Sequence, residues 1–393
     1  MSADTVREVT SQSWFSRIGQ SFKGILFGLI LFVIAFPVLF TNEGRAVKRQ
    51  KTLEEGAQSV ASVSADEVNP ANDGALVHLT GKAVTDEMLE DPEFGVSAQA
   101  IKLQRSVEMY QWDETEQSDT KTKVGGGTET VTEYSYSQRW SSRLIPSSEF
   151  KDPAGHTNPT SMPFESKDLQ ADKVTVGAFR LSPSQVGGIN NFQPLQLPEE
   201  VAVPHDLRGT TIRTPNGFYI GFDPAAPRVG DVRIQYKVAP MTDISLIARQ
   251  VSDSFEPHTT KVGGTIQLLQ IGTHSADAMF QKAQRDNKIL TWLIRAGGFL
   301  LLWIGLKTVL RPLAVVADVL PILGKIVAAG SGLVAFLIAA IFWTITVAIA
   351  WLFYRPLLGV GLFVVAIGLA IALRSRLKKV EPASVPQSAP AVP

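Results

Sequence analysis

The sequence predicts a multi-pass α-helical membrane protein with a large β-rich (α+β) extracytoplasmic domain. Three observations carry that prediction. Apolar residues gather into one run near the N terminus and several near the C terminus. The charges divide: Asn42 to Lys288 holds 25 basic and 33 acidic residues, while the flanks hold 12 and 4. Between the apolar runs, hydrophobic and polar residues alternate with the period of two that a half-buried strand requires. The 393 residues are 45% hydrophobic with a mean hydropathy of +0.10, high for a soluble chain.

Residues 1–23 read as an N-terminal tail in which Trp14, Phe15, Ile18 and Phe22 recur at helical spacing beside Arg17 and Lys23, the pattern of an interfacial amphipathic helix. Residues 24–41 form the first transmembrane helix, an uncleaved signal anchor, because no small-residue cleavage site follows the apolar run. The second span is 289–311. Arg295 and Lys307 interrupt it, roughly 18 Å apart along a helix, so both can snorkel towards opposite interfaces. Residues 312–325, with Asp318 and Pro321, suit an interfacial helix and turn. The third span is 326–354 and the fourth 355–374, with Arg355-Pro356 at the turn between them. Residues 375–393 form a basic, then proline-rich, flexible tail. Four spans place both termini together. Arg374, Arg376, Lys378 and Lys379 favour a cytoplasmic C terminus, and Arg45, Lys48, Arg49 and Lys51 oppose that assignment.

Residues 42–288 are long enough for one large domain, or for two halves near 44–145 and 170–272. Ile101, Leu103, Val107 and Met109 share one parity, as do Val232, Ile234, Tyr236 and Val238. Further strands are expected at Leu76–Leu79, Val131–Trp140, Val174–Leu181, Phe218–Ile220, Ile244–Val251 and Thr265–Ile271. Gly125-Gly126-Gly127 and Pro215-Asn216-Gly217 read as turns, and Pro146 to Pro163 as a surface loop. Ser275 can cap a helix that continues into the second span.

The chemistry is sparse. Without cysteine there are no disulfides, thiolate metal sites or cysteine nucleophiles. The five histidines show no HExxH spacing, and no metal, cofactor or catalytic residue is expected. No basic folded unit points to nucleic acid. Glu108, Asp113, Glu114, Glu116 and Asp119 could supply carboxylates for a hydrolase, a weaker alternative that requires Glu108, Glu114, His156 or Asp231 to converge in an enclosed pocket. Tyr110 and Trp112, with Tyr134, Tyr136 and Trp140, are better read as packing or interface residues. A transporter or channel is the other alternative. It requires a polar path near Arg295, Lys307 and Arg355. Gly24 and Gly28 lie one helical turn apart and can mediate close helix packing.

Several segments together resemble the transmembrane protein 43 family, also called LUMA. They are Asn42-Glu43-Gly44-Arg45-Ala46-Val47, Val107-Glu108-Met109-Tyr110-Gln111-Trp112, Gly155-His156-Thr157-Asn158-Pro159 and Trp351-Leu352-Phe353-Tyr354-Arg355-Pro356-Leu357, with Gly230-Asp231-Val232-Arg233 and Ile247-Ala248-Arg249-Gln250 in the same order. The resemblance implies four spans and a central domain in the lumen of the endoplasmic reticulum or of the nuclear envelope at the inner nuclear membrane. In a bacterial member the inner membrane and periplasm would take their place. Animal members look like envelope organisers that self-associate and engage emerin and lamins; in a bacterium those nuclear partners do not transfer. The family supplies no catalytic residues.

The expected function is therefore a non-enzymatic, self-associating membrane scaffold that organises membrane or envelope proteins, with the lipid bilayer and further copies of the chain as partners. Trp351 to Leu357, with Arg355 and Pro356, should fix the terminal hairpin. Asn42 to Val47, with Glu43 and Arg45, should fix the exit from the first span.

Overall fold

The computed structural model describes residues 5–199, 201 and 209–357, together with 360, 361, 368 and 371. The chain divides into two compact units: the described residues of Met1–Gln20, Lys48–Asn287 and Leu313–Val327, and those of Ser21–Val47, Lys288–Pro312 and Ala328–Pro393. Among the described residues, three helices are long and apolar enough to cross a membrane: α1 (Trp14–Ser59), α2 (Ala276–Ala317) and α3 (Pro321–Tyr354).

The first unit is built on two sheets. Its principal strands are β1 (Thr5–Gln12), β2 (Leu76–Val84), β3 (Lys102–Thr122), β4 (Thr128–Ser141), β5 (Val232–Ala239) and β6 (Thr242–Val251). One eight-stranded sheet runs in the order β1, β4, β3, β5, Gly217–Ile220, Thr211–Thr214; Lys167–Gln170 adds to β3 and Gln193–Pro194 to β5. In the other sheet β2 and β6 pair antiparallel at the centre. Both sheets feed one apolar core, Val77 and Leu79 from β2, Leu103, Val107 and Met109 from β3, Ile234 and Tyr236 from β5, and Leu246 from β6. The β3–β5 and β2–β6 ladders join the two sequence halves, so residues 44–145 and 170–272 do not form separate domains.

The expected strands are present, with altered lengths. Val174–Leu181 is broken into Thr175–Val176 and Phe179–Arg180 by Gly177, whose φ of +60° makes a turn where a Cβ would strike Ala65 O. β3 runs far beyond Met109, because residues Asp113 to Thr122 stay extended by pairing with β4 although they have no apolar parity of their own.

The helix boundaries differ from the sequence expectation. Thr5–Gln12, expected as tail, is a strand: its β-branched residues pair with Thr128–Ser135 in register. The first helix does not end at residue 41. Asn42 to Ser59 is rich in helix formers and carries α1 onward, burying Leu53 against Leu76, Ile247, Ile266, Met279 and Phe280. Ser275 caps α2 by accepting from the Ala278 N–H at 3.3 Å. The expected break at Pro312 is absent; α2 continues to Ala317, and the turn falls at Asp318–Leu320 before Pro321 opens α3. Of the expected fourth span, 355–374, only residues 355–357, 360, 361, 368 and 371 are described, and the rest of it lies outside the described residues. The tail 375–393, with Arg376, Lys378 and Lys379, and also Arg374, lies outside the described residues.

In the second unit, Ala35 and Leu39 of α1, Leu302 of α2 and Ala339 of α3 form a small apolar core ringed by Phe32, Phe36 and Phe299. Gly28 permits the contact between α1 and α2, since a Cβ there would lie 2.7 Å from Gly305 O.

Candidate functional site

The predicted residues fall into two constellations, one in each unit. In the second unit, α1 presents Asn42, Glu43 and Arg45, α2 presents Thr291, Trp292 and Arg295, and α3 presents Trp343 and Trp351. Glu43 is 0% exposed and Arg295 8%. Arg295 donates to Glu43 from Nε (2.7 Å to Oε1) and Nη2 (2.8 Å to Oε2), the two-point geometry in which guanidinium and carboxylate match best. Trp351 Nε1 donates to the same Oε2 at 2.9 Å. The guanidinium lies 4.7 Å from the ring centre of Trp292 and 5.5 Å from that of Trp351. Trp343 Nε1 donates to Arg295 O at 3.0 Å.

Beside this pair, Asn42 Nδ2 donates to Thr291 O at 3.2 Å, and Arg45 Nη2 reaches Asn42 Oδ1 and Thr291 Oγ1, each at 3.1 Å. Gly44 leaves room for Tyr354, whose ring would lie 2.6 Å from a Cβ at that position. These contacts correct two expectations. Asn42 to Val47 is not a helix exit but helical surface bonded to α2 and α3, and Arg295 does not snorkel. Removing either charge from water is costly, so the pair persists only because both carboxylate oxygens accept bonds, from Arg295 and from Trp351. Lys307 is exposed, with its ammonium 5.9 Å from the Trp303 ring centre. Arg355 N donates to Trp351 O at 2.8 Å where α3 ends, and Pro356 follows.

The other constellation lies on one face of the large sheet, where the even-numbered residues of β3 point. Asn158 accepts from the Trp112 N–H at 2.7 Å and returns a bond to Trp112 O at 3.0 Å, so one side chain occupies the place of a neighbouring strand. His156, 1% exposed, stacks 3.7 Å from the Tyr136 ring centre and meets Trp112 edge-on at 4.7 Å. Its Nδ1 faces Asp152 O at 2.9 Å, a partner that only accepts and so requires the proton on Nδ1. Tyr136 donates to Glu114 at 2.7 Å. Further along, Tyr110 packs on Trp140, Arg233 covers Trp140 at 4.6 Å and bonds Glu108 at 2.6 Å, and Tyr219 donates to Asp231 at 2.6 Å. Burial first, then Asp231, holds the Tyr219 hydroxyl above the ordinary tyrosine range.

This face gathers Tyr110, Trp112, His156, Asn158, Asp231 and Arg233, but it does not gather the acids into one pocket. Glu108, Glu114 and Asp231 each have a separate donor. A cavity of about 380 Å³ lies elsewhere, lined by Lys102, Gln104, Asp168, Gln170, Asn190 and Phe192. The Lys102 ammonium there is bonded to Gly187 O and Asn190 Oδ1.

Two further clusters were missed from sequence. Arg105, 5% exposed, bonds Asp91 at 2.8 Å and Glu93 at 2.6 Å, and Tyr236 donates to Asp91 at 2.6 Å. Its signal was available: Arg105 occupies the same parity as Leu103 and Val107, a cation on an apolar face. The other cluster joins Arg17 to Asp318 and to Gly126 O, with Trp14 Nε1 donating to Val315 O at 2.8 Å. Nothing local marks that contact, because its members are far apart in the chain.

The family model "Transmembrane protein 43" matches residues 109–356. The chain is similar to transmembrane protein 43 of Rattus norvegicus, 38% identical over 381 residues that cover 94% of each chain. It is 36% identical to that of Homo sapiens over 96% of each chain. It is also 31% identical to the transmembrane protein 43 homolog of Drosophila melanogaster over 85% of this chain and 89% of the relative. No solved structure matches.

Proposed function

The chain belongs to the transmembrane protein 43 family, and on that footing we propose that it is a non-enzymatic, self-associating membrane scaffold. Its central β domain faces the non-cytoplasmic compartment, the lumen of the endoplasmic reticulum or of the nuclear envelope in a eukaryotic cell, where it meets other membrane or envelope proteins.

What supports this reading is how the polar residues are spent. The Glu43 carboxylate takes two bonds from Arg295 and one from Trp351, and Asn158 spends its amide on the backbone of Trp112. Such groups hold elements in register instead of facing a substrate. The Gly28–Gly305 contact, where backbones approach without side chains between them, is the kind of packing that bundles use.

Two differently tagged copies expressed together test the proposal. Isolation of one from mild detergent should recover the other, and copies mixed only after solubilisation should not exchange as fully. Failure to recover the second copy from co-expressing membranes overturns the scaffold reading.

A further inference from the structure

β1, β4 and the outer part of β3 form a three-stranded ribbon that ends at the Val124–Gly127 hairpin. The register is continuous: Thr5–Gln12 on Thr128–Ser135, and Asp113–Thr122 on Thr128–Ser137. The tip of this ribbon meets two segments from remote parts of the chain. Arg17 reaches Gly126 O, and Gly125 N donates to Val319 O at 3.0 Å.

That contact constrains chain topology. The apolar segment after Gln20 separates Trp14 and Arg17 from the β domain, and the apolar segment of α2 separates the β domain from Val315 to Val319. If those segments cross a bilayer, residues 14–17 and 315–319 share one side, which agrees with the Arg17–Asp318 pair, and the body of the β domain lies on the other. The hairpin tip belongs to the β domain in sequence yet bonds the opposite side. From Trp112 to Val124 the ribbon covers roughly 40 Å, against ~30 Å for a hydrocarbon layer.

Asp113 to Thr122 contains no apolar side chain, and Thr115 to Lys121 is exposed on both faces. Hydroxyls join the strands at Ser118–Thr132 (2.9 Å) and Thr120–Thr130 (2.8 Å). Both edges are open. Tyr110 and Trp112 direct their backbone groups away from β4, so by the strand period Glu114, Glu116, Ser118 and Thr120 do the same, and among the described residues they have no backbone partner there. On β1 the residues not turned to β4 are Arg7, Val9 and Ser11. Hydrocarbon tolerates neither polar faces nor unpaired strand edges.

We propose that this ribbon crosses the membrane and is completed by further copies of the chain, the free edge of β1 in one copy pairing with the free edge of β3 in the next. The inference rests on the self-associating membrane reading and names its surface. β1 and β3 are both antiparallel to β4, hence parallel to each other. Copies that share one orientation in a membrane therefore join β1 to β3 in parallel, head to tail, and such a contact closes into a ring when its rotation does. The ring satisfies the edges and encloses one polar face of the ribbon with water; the other polar face has to be turned to protein and not to lipid.

The absence of cysteine makes the test direct. Single-cysteine variants Ser16→Cys, Met88→Cys and Val124→Cys are labelled in sealed, oriented vesicles with a membrane-impermeant maleimide. Val124 is 86% exposed and Met88 54%, so neither substitution disturbs a core. The expected result is Val124→Cys labelled from the side of Ser16→Cys and Met88→Cys from the other. Val124→Cys labelled with Met88→Cys, opposite Ser16→Cys, overturns the crossing ribbon but leaves the spans in place. All three on one side overturns the spans as well. In the same membranes, oxidation of Val9→Cys combined with Gln117→Cys or Asp119→Cys, the β3 positions that share the Val9 face of the ribbon, should give a ladder of disulfide-linked multimers. β4 lies between these positions within one copy, too wide a gap for an internal bond. No ladder from either pair overturns the edge pairing, while co-isolation of tagged copies reports separately on self-association.

Discussion

Glu43 and Arg295 stand 252 positions apart in sequence and meet in a two-point hydrogen bond, buried between helices that are each apolar enough to cross a membrane. The pair is a lock between α1 and α2, and Trp351 extends it to α3. Removing one partner leaves the other charged and buried. Glu43→Ala or Arg295→Ala should each cost about 3–5 kcal/mol of stability, while the double substitution Glu43→Leu with Arg295→Met should recover most of it. Thermal unfolding in detergent checks both outcomes.

Asn158 substitutes for a strand at the point where β3 outruns β5. Asn158→Ala leaves the Trp112 N–H and C=O without partners and should cost about 1–3 kcal/mol. Hydrogen exchange at the Trp112 amide should accelerate, and exchange at Leu103, deep in the ladder, should be little altered.

Gly28 lies where α1 and α2 come closest. Gly28→Leu cannot be accommodated by a side-chain shift, because the atom it meets is the backbone oxygen of Gly305. A loss of about 1–3 kcal/mol is expected, read as a lower unfolding temperature. Gly330→Leu, where a Cβ meets nothing within 4 Å, serves as the control.

Tyr236 and Tyr219 set an alkaline limit. Burial first, then the bonds to Asp91 and Asp231, hold both hydroxyls protonated above the ordinary value of 10. The unfolded chain therefore loses these protons first as the pH passes 10, and the folded state binds more of them there. Their contribution to stability is complete below pH 10 and is lost as the pH rises through the raised folded values. Ultraviolet titration should show Tyr219 and Tyr236 ionising late, after Tyr136, whose hydroxyl is pushed up to about 12 by burial and its bond to Glu114, and Tyr236→Phe should flatten the fall in stability above pH 10.

Much of the fold was legible in the sequence because hydrophobic patterning records burial directly. The apolar runs of α1, α2 and α3 and the parities of β3 and β5 depend on nothing beyond their own residues. What escaped depends on partners. Thr5–Gln12 becomes a strand only because β4 offers an edge, and Asp113–Thr122 carries no apolar parity that could mark it as sheet. For the candidate site, the motif Asn42 to Val47 was expected at the exit from the first span and instead lies within α1, and the pairing of Glu43 with Arg295 is a tertiary fact. Arg105 was the one missed residue with a local signal, a charge set on a buried parity.

The mass of the particle in native lipid discs, measured without exchange into detergent, bears most directly on the account. A discrete multiple of the 42.6 kDa chain is the predicted result; discs that each contain one copy, across a range of expression levels, would contradict it.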